Sequence, residues 1–151
     1  MHCYNKLQPV SLIQQKIALL SSYKESNCYI DKNILCWSAK LRPTQLSRTY
    51  QIRITYKLRE SPKVWVIGEE LEKLDAPDFP HTFEIDVEKK MVRICLCRRF
   101  EFSSFNYLAN SIVPWSIEWL YHYEMWLATE IWHGGGIHPI VGKKKDDTRK
   151  K

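Results

Sequence analysis

One cysteine of the chain stands where a thiol could do chemistry. Cys95 lies near the end of the apolar run 91–96 and is followed by Arg98 and Arg99. The thiolate is the reactive form of cysteine, and nearby guanidinium groups favour it because they offset its charge. The pattern predicts a nucleophilic thiol where a strand gives way to a loop. The alternative is a buried strand residue with no chemical role, since free cysteine is among the most buried residue types.

Two neighbours bear on this site. Strand alternation places Cys97 on the same face as Cys95, so either thiol could be the nucleophile. We favour Cys95, partly because a residue at a strand end is held more firmly than one in a loop. His81, in Pro80-His81-Thr82, precedes the hairpin that delivers Cys95. Its imidazole could be a base, an oxyanion donor or a hydrogen bonder that fixes the loop.

Zinc binding is the competing use of the same residues. Cys95 and Cys97 with His81, or His133 with His138, could each supply ligands. Neither set has the spacing usual in structural zinc sites. We therefore predict no metal site and no cofactor.

The elements that must position these residues follow from periodicity. A stripe of apolar residues predicts a helix over 7–23. Strand patterns follow over 29–41, 50–58, 63–67, 83–87 and 92–96, and the alternation over 50–58 is the cleanest. These patterns indicate an antiparallel meander of four or five strands, which we take as four. The predicted class is α+β, with the N-terminal helix, the meander, a reactive-cysteine loop and C-terminal helices packed on the sheet.

A second amphipathic helix is predicted after the cysteine. Ser111 can cap it, and it begins at Ile112 and ends at the glycines 134–136. One broad face is apolar and largely aromatic: Ile112, Trp115, Trp119, Leu120, Tyr123, Trp126, Leu127 and Ile131. A face this wide is more typical of a helix that covers a sheet than of a cofactor site. His122 lies on the opposite, polar face and is interpreted as a surface histidine.

Composition and charge limit the function classes. The 151 residues suit one domain, which we place at 1–142. The net charge of +6 is concentrated in 143–151, where six basic residues face two acidic ones, and a basic disordered tail is expected there. This distribution does not favour a nucleic-acid binder. Five cysteines and no apolar leader predict a cytoplasmic protein, and no stretch has the roughly 20 apolar residues of a membrane helix.

The order of these elements resembles that of ubiquitin-conjugating enzymes, whose reactive cysteine lies in an Ile-Cys-Leu context like Ile94-Cys95-Leu96. The resemblance is closer still to small bacterial relatives encoded beside cGAS-like nucleotidyltransferases in short type II CBASS antiphage operons. The similarity spans about residues 35 to 138. These segments carry it: Leu41-x-Pro43, Leu46-Ser47-x-x-Tyr50, Ile52-x-Ile54-x-Tyr56, Pro62-x-Val64-x-Val66, Pro80-His81, Cys95-Leu96, Ile112-Val113-Pro114-Trp115-Ser116-x-Glu118-Trp119-Leu120, Tyr123-Glu124-x-Trp126-Leu127 and Trp132-x-Gly134-Gly135-Gly136-x-His138.

The resemblance implies an enzyme, a cysteine acyltransferase of the ubiquitin-conjugating type. Cys95 would accept the C-terminal glycine of the nucleotidyltransferase as a thioester, which passes to a lysine or is hydrolysed, and the adduct would regulate the nucleotidyltransferase. A separate activating enzyme is expected, because one domain has no room for an adenylating module. The chain ends in Lys150-Lys151 and not in glycine, so it would be the carrier and not the transferred tag.

The chain departs from the family pattern at one motif. Eukaryotic conjugating enzymes have His-Pro-Asn shortly before the cysteine, whereas the nearest counterpart here is Pro80-His81-Thr82. Either His81 or backbone N–H groups replace the asparagine, or aminolysis is weak and the thioester persists. The alternative function is a non-catalytic binding module on the same fold, which holds the nucleotidyltransferase while Cys95 is inert.

Overall fold

The computed structural model describes residues 7–96 and 101–134. The elements are α1 (Leu12–Ser22), β1 (Asn27–Asp31), β2 (Ile34–Leu41), β3 (Tyr50–Lys57), β4 (Lys63–Ile67), β5 (Thr82–Asp86), β6 (Met91–Ile94), a 3-10 turn (Leu108–Asn110) and α2 (Ile112–Thr129). In this part of the chain no helix is long and apolar enough to cross a membrane. The predicted domain limit at 142 and the basic tail 143–151 lie outside the described residues.

The prediction of an α+β fold with an antiparallel sheet is confirmed, but the count of four strands is wrong. The sheet has six strands in the order β1-β2-β3-β4-β6-β5. The segment 29–41 divides because Lys32 and Asn33 both have positive φ, as a two-residue hairpin turn of type I′ requires. The separate strands predicted over 83–87 and 92–96 are both present, as the paired strands β5 and β6.

The sheet is also not a simple meander, because β6 lies between β4 and β5. The connection from 68 to 81 carries the chain past the position beside β4, and β5 therefore forms the edge. Three apolar side chains of this connection, Leu71, Leu74 and Phe79, are buried. The connection is thus part of the core, and it determines where the final hairpin begins.

The core lies on one face of the sheet. The predicted alternation of β3 is confirmed, since Tyr50, Ile52, Ile54 and Tyr56 are all buried and the residues between them are partly exposed. Trp37 on β2 is opposite Ile54 in the register and is fully buried. Burial of each such side chain contributes about 1.5–3 kcal/mol, so the central strands supply much of the stability.

Helix α1 is shorter than predicted and presents a different face. It begins at Leu12 because Ser11 caps it, with Gln14 completing a capping box. Ile13 and Ile17, which belong to the predicted stripe, are 66% and 61% exposed. The buried residues are Gln15 and Leu19 instead. Both ends of the buried Gln15 amide are hydrogen-bonded, because Nε2 donates to Asn106 O at 2.8 Å and Oε1 accepts from Leu108 N at 2.9 Å.

Helix α2 begins at Ile112 as predicted, and most of its predicted apolar face packs inward, although Trp115 and Leu127 are only partly buried and Ile131 is exposed. The residues of α2 that are buried are Ile112, Val113, Ser116, Trp119, Leu120, Tyr123 and Trp126. Ser111 occupies the N-cap position as predicted, but its side chain makes no capping hydrogen bond, and its hydroxyl donates to Tyr107 O at 2.7 Å. The helix ends at Thr129, before the glycines, because Glu130 adopts a left-handed conformation. Within the described residues this is the one C-terminal α-helix, where several were predicted.

Candidate functional site

Cys95 directly follows β6, and its thiol is free and partly buried. Its backbone N–H donates to His81 O at 2.8 Å, which extends the pairing of β6 with β5 by one bond. Cys95 is therefore held at a strand end, as predicted. The loop expected after it includes residues 97–100, which lie outside the described residues, and Cys97 is among them.

His81 sits beside Cys95 in an uncommon backbone conformation. Its φ is +46°, in the left-handed region that residues with a Cβ rarely adopt, and it is only 5% exposed. The imidazole stacks on the Trp132 indole, with ring centroids 4.7 Å apart. The His81 carbonyl accepts a second hydrogen bond, from Trp119 Nε1 at 3.2 Å. Both the ring and the carbonyl of His81 are thus held by tryptophans from the C-terminal part of the chain.

The surroundings of Cys95 act against the thiolate. Burial raises the pKa of the Cys95 thiol above its ordinary value, and the Glu101 carboxylate raises this pKa further. The Arg93 guanidinium lowers the pKa of Cys95, but it is the smallest of the three effects. The sequence had led us to expect that arginines favour the thiolate. The two arginines that follow Cys95 in the sequence, Arg98 and Arg99, both lie outside the described residues.

Arg93 is also engaged with the edge strand. Its guanidinium pairs with Glu84 Oε1 at 3.2 Å and lies over the Phe83 ring, 4.8 Å from the centroid. Glu84 is opposite Arg93 in the register, next to a bulge between Thr82 and Glu84. Through these contacts the Arg93 guanidinium interacts with β5 as well as with the Cys95 thiol.

An aromatic cluster borders the site and continues into the core. Trp119 stacks on Tyr123, with centroids 5.3 Å apart and planes 11° apart, and Trp132 lies 5.7 Å from Trp119. His122 lies 5.6 Å from Trp132, and its side chain is 17% exposed. His122, predicted as a surface histidine, is thus partly exposed and also packs against Trp132. The helical pattern could identify Trp119 as an inward residue, but Trp132 follows the helix, where no periodicity applies.

Two hydrogen-bond networks fasten α2 to the loops around the sheet. Tyr123 OH accepts from Glu72 N at 2.8 Å and donates to Glu72 O at 3.1 Å. Burial raises the pKa of Tyr123 to about 12. The Glu124 carboxylate accepts from Ser47 Oγ at 2.5 Å and from Tyr50 OH at 3.0 Å. The Tyr123 contacts hold the connection 68–81, which leads to His81, and the Glu124 contacts hold the start of β3.

The structure brings together Cys95 and His81 among the residues predicted to form the site. Of the residues considered as zinc ligands, Cys97 and His138 are not among the described residues. In the ranges 7–96 and 101–134, no group of three or more His, Cys, Asp or Glu side chains could hold a metal ion. The chemistry available here is that of a thiol beside a tightly held backbone.

Comparison with known proteins gives one family. The family model described as type II CBASS E2 protein matches residues 15–139. The matched range includes Cys95, His81 and the tryptophans that hold His81. No curated protein matches the chain.

Proposed function

We propose, since this chain belongs to the family of type II CBASS E2 proteins, that it is a cysteine acyltransferase that carries a partner's C-terminus as a thioester. Membership of the family connects the chain with CBASS antiphage defence and with an E2-like, conjugation-type role. The partner we propose is the cGAS-like nucleotidyltransferase of the same operon, and its C-terminal glycine is the transferred group. The adduct regulates that nucleotidyltransferase.

The observation that carries the proposal is the placement of Cys95. The free thiol of Cys95 lies at the end of β6. The backbone N–H of Cys95 donates to His81 O, which fixes the position of the residue, while the side chain remains partly exposed. In the reaction the Cys95 thiol loses its proton to solvent, and the sulfur attacks the carbonyl of a glycine already activated by a separate enzyme. The C–S bond forms, and the bond to the activating group breaks, with its electron pair leaving on that group.

The raised pKa of Cys95 supports a lasting thioester. A thiol of high pKa is a poor leaving group, so both hydrolysis and aminolysis of its ester are slow. Of the two explanations for the missing asparagine, this favours the persistent thioester. The other explanation needs an oxyanion donor. The Cys95 N–H cannot serve, because it already donates to His81 O, so the imidazole of His81 or a different N–H would be required.

The experiment is to co-express the chain with the nucleotidyltransferase and the activating factor, and to look for an adduct on a non-reducing gel. We expect an adduct that hydroxylamine removes. Cys95→Ala should abolish it, and Cys95→Ser should trap an oxygen ester that thiols do not cleave. Cys36→Ala, a matched change of a partly buried cysteine on β2, should leave the adduct unchanged. An adduct that survives Cys95→Ala would reject the proposal.

The second candidate is a non-catalytic binding module on the same fold. The specific observation in its favour is the raised pKa of Cys95, which lowers the thiolate fraction below that of an ordinary cysteine. In this case the nucleotidyltransferase should bind wild type and Cys95→Ala with equal affinity, and no adduct should form in either. Calorimetry of the two proteins, together with the gel, separates the two functions.

A further inference from the structure

We propose that Trp132 is a positioning residue that acts on Cys95 through His81. The inference rests on the proposed function of Cys95 and adds a residue to it. Trp132 stacks on the imidazole at 4.7 Å, and the His81 carbonyl holds the Cys95 N–H at 2.8 Å. His81 therefore connects the Trp132 indole to the backbone of Cys95, the proposed nucleophile.

His81 needs such support because of its backbone. A residue with a Cβ at φ +46° is disfavoured, and it keeps this conformation only when its surroundings impose it. The carbonyl of His81 is held by Trp119 Nε1 and the ring is held by Trp132. Loss of the ring contact removes one of the interactions that oppose rotation of the His81 carbonyl. The Cys95 N–H then loses a fixed acceptor, and the sulfur loses its fixed direction of attack.

The end of α2 is built to place the indole there. Glu130 closes the helix in a left-handed conformation, and its N–H donates to Trp126 O at 2.7 Å. The hydroxyl of Thr129 accepts from Ile131 N at 3.2 Å, which turns the chain back towards the sheet. At Gly134 an added Cβ would lie 2.9 Å from the Trp132 indole nitrogen. The added Cβ would also lie 2.9 Å from His122 Cδ2, so any larger residue at 134 would crowd both rings.

The first test compares two substitutions of Trp132 in adduct formation. Trp132→Phe keeps an aromatic ring that can stack on His81, whereas Trp132→Leu keeps apolar bulk without a ring. We expect Trp132→Leu to lower the maximum rate of adduct formation about tenfold, with an unchanged half-saturating concentration of the nucleotidyltransferase. Trp132→Phe should stay within about threefold of wild type. Trp115→Leu, at a partly buried tryptophan in the first turn of α2, is the matched control and should leave the rate unchanged.

The second test needs no partner and measures hydrogen exchange in the isolated chain. Trp132→Leu should speed exchange of the Cys95 amide at least tenfold while the amides of β3 keep their protection. A purely structural role would speed exchange at both places together, because global stability would fall. Trp132→Phe should leave the Cys95 amide close to wild type.

The two tests separate the inference from the function beneath it. If wild type forms no adduct, the proposed function is rejected, and the Cys95 amide alone decides whether Trp132 positions it. Unchanged Cys95 exchange in Trp132→Leu overturns the positioning role whatever the gel shows. An unchanged maximum rate per folded molecule in that variant overturns it as well.

Discussion

The central hairpin β2–β3 and the edge hairpin β5–β6 differ in almost every structural respect. The strands of the first have eight residues each, pair without interruption and alternate regularly between buried and partly exposed positions. The strands of the second have five and four residues, with a bulge in the pairing between them. Phe83 and Ile85 on the edge strand are both exposed. Cys95 belongs to the second hairpin.

The difference indicates that the two hairpins have separate roles. The central hairpin buries large side chains and holds the fold, whereas the edge hairpin carries the strained residue and the thiol. Irregular backbone at a sheet edge lets a side chain be directed in a way that a regular strand does not permit. The chemistry that we propose therefore lies in a hairpin that buries fewer large side chains than the central one. Four predictions test this comparison, from the largest effect to the smallest.

The largest effect is expected in the central hairpin. Ile54→Ala should lower the free energy of unfolding by about 2–5 kcal/mol, because it leaves a cavity at a fully buried position. Adduct formation per folded molecule should remain at the wild-type rate. Urea denaturation and the gel assay measure these two quantities. Thr55→Ala, on the other face of the same strand, should change stability by less than about 1 kcal/mol. A selective loss of adduct formation in Ile54→Ala would contradict the separate roles of the two hairpins.

The next effect concerns the connection 68–81, which leads from β4 to the edge hairpin. Tyr123→Phe removes the hydroxyl that bonds Glu72 N and O, and should cost about 1–2 kcal/mol in urea denaturation. The pKa of Tyr123 is raised to about 12 in the folded chain, and the ordinary value for tyrosine is about 10. The contribution of this residue to stability is therefore complete below pH 10 and is lost as the pH rises through 12.

The pH dependence provides a control within the same experiment. Between pH 10 and 12 the wild type should lose stability more steeply than Tyr123→Phe, because only the wild type must keep a phenol protonated. Tyr50 also has a raised pKa, caused first by burial and then by Glu124, so both proteins retain part of the alkaline loss. Equal slopes in the two proteins would show that the hydroxyl is not buried as described.

A smaller effect is expected from the strained residue of the edge hairpin. His81→Ala and His81→Gly both remove the imidazole, but only glycine adopts φ +46° freely. The alanine variant should therefore be less stable than the glycine variant by about 1 kcal/mol. Thermal unfolding of the two variants measures this difference, and the effect of losing the imidazole cancels because both variants lack it. If alanine proves as stable as glycine, His81 is not strained and the contrast with the regular strand weakens.

The same contrast explains how far the sequence predicts the molecule. The buried face of β3 was predictable, because alternation of apolar and polar residues in a strand with one buried face reports that face directly. The inward face of α2 was predictable for the same reason. The exposed positions of Ile13 and Ile17 were not, since an apolar stripe does not say which neighbour is available to cover it.

Features of the candidate site were harder to predict from the sequence. The position of Cys95 at a strand end follows from the apolar run that precedes it. The left-handed backbone of His81 and its stack on Trp132 depend on two segments far apart in the chain, which no local pattern relates. The order of β6 and β5 depends on how the connection 68–81 packs, and this also lies outside local periodicity.

The smallest effect is expected from the charges around Cys95. Glu101 raises the pKa of the thiol and Arg93 lowers it, so Glu101→Gln and Arg93→Gln should shift this pKa in opposite directions. In the isolated chain, alkylation of Cys95 by iodoacetamide at pH 7.5 should be roughly two- to threefold faster in Glu101→Gln and slower in Arg93→Gln, because the thiolate is the form that reacts. Glu118→Gln, on the exposed side of α2, is the matched control.

The pH profile of the same reaction shows which cause dominates. Because burial is the largest cause of the raised pKa, the rate in wild type should still be rising at pH values where an ordinary thiol, with a pKa of about 8.5, has levelled off. Glu101→Gln should move this profile only part of the way back. A complete return to the ordinary profile would mean that charge, and not the packing of the edge hairpin, holds Cys95 in its protonated form.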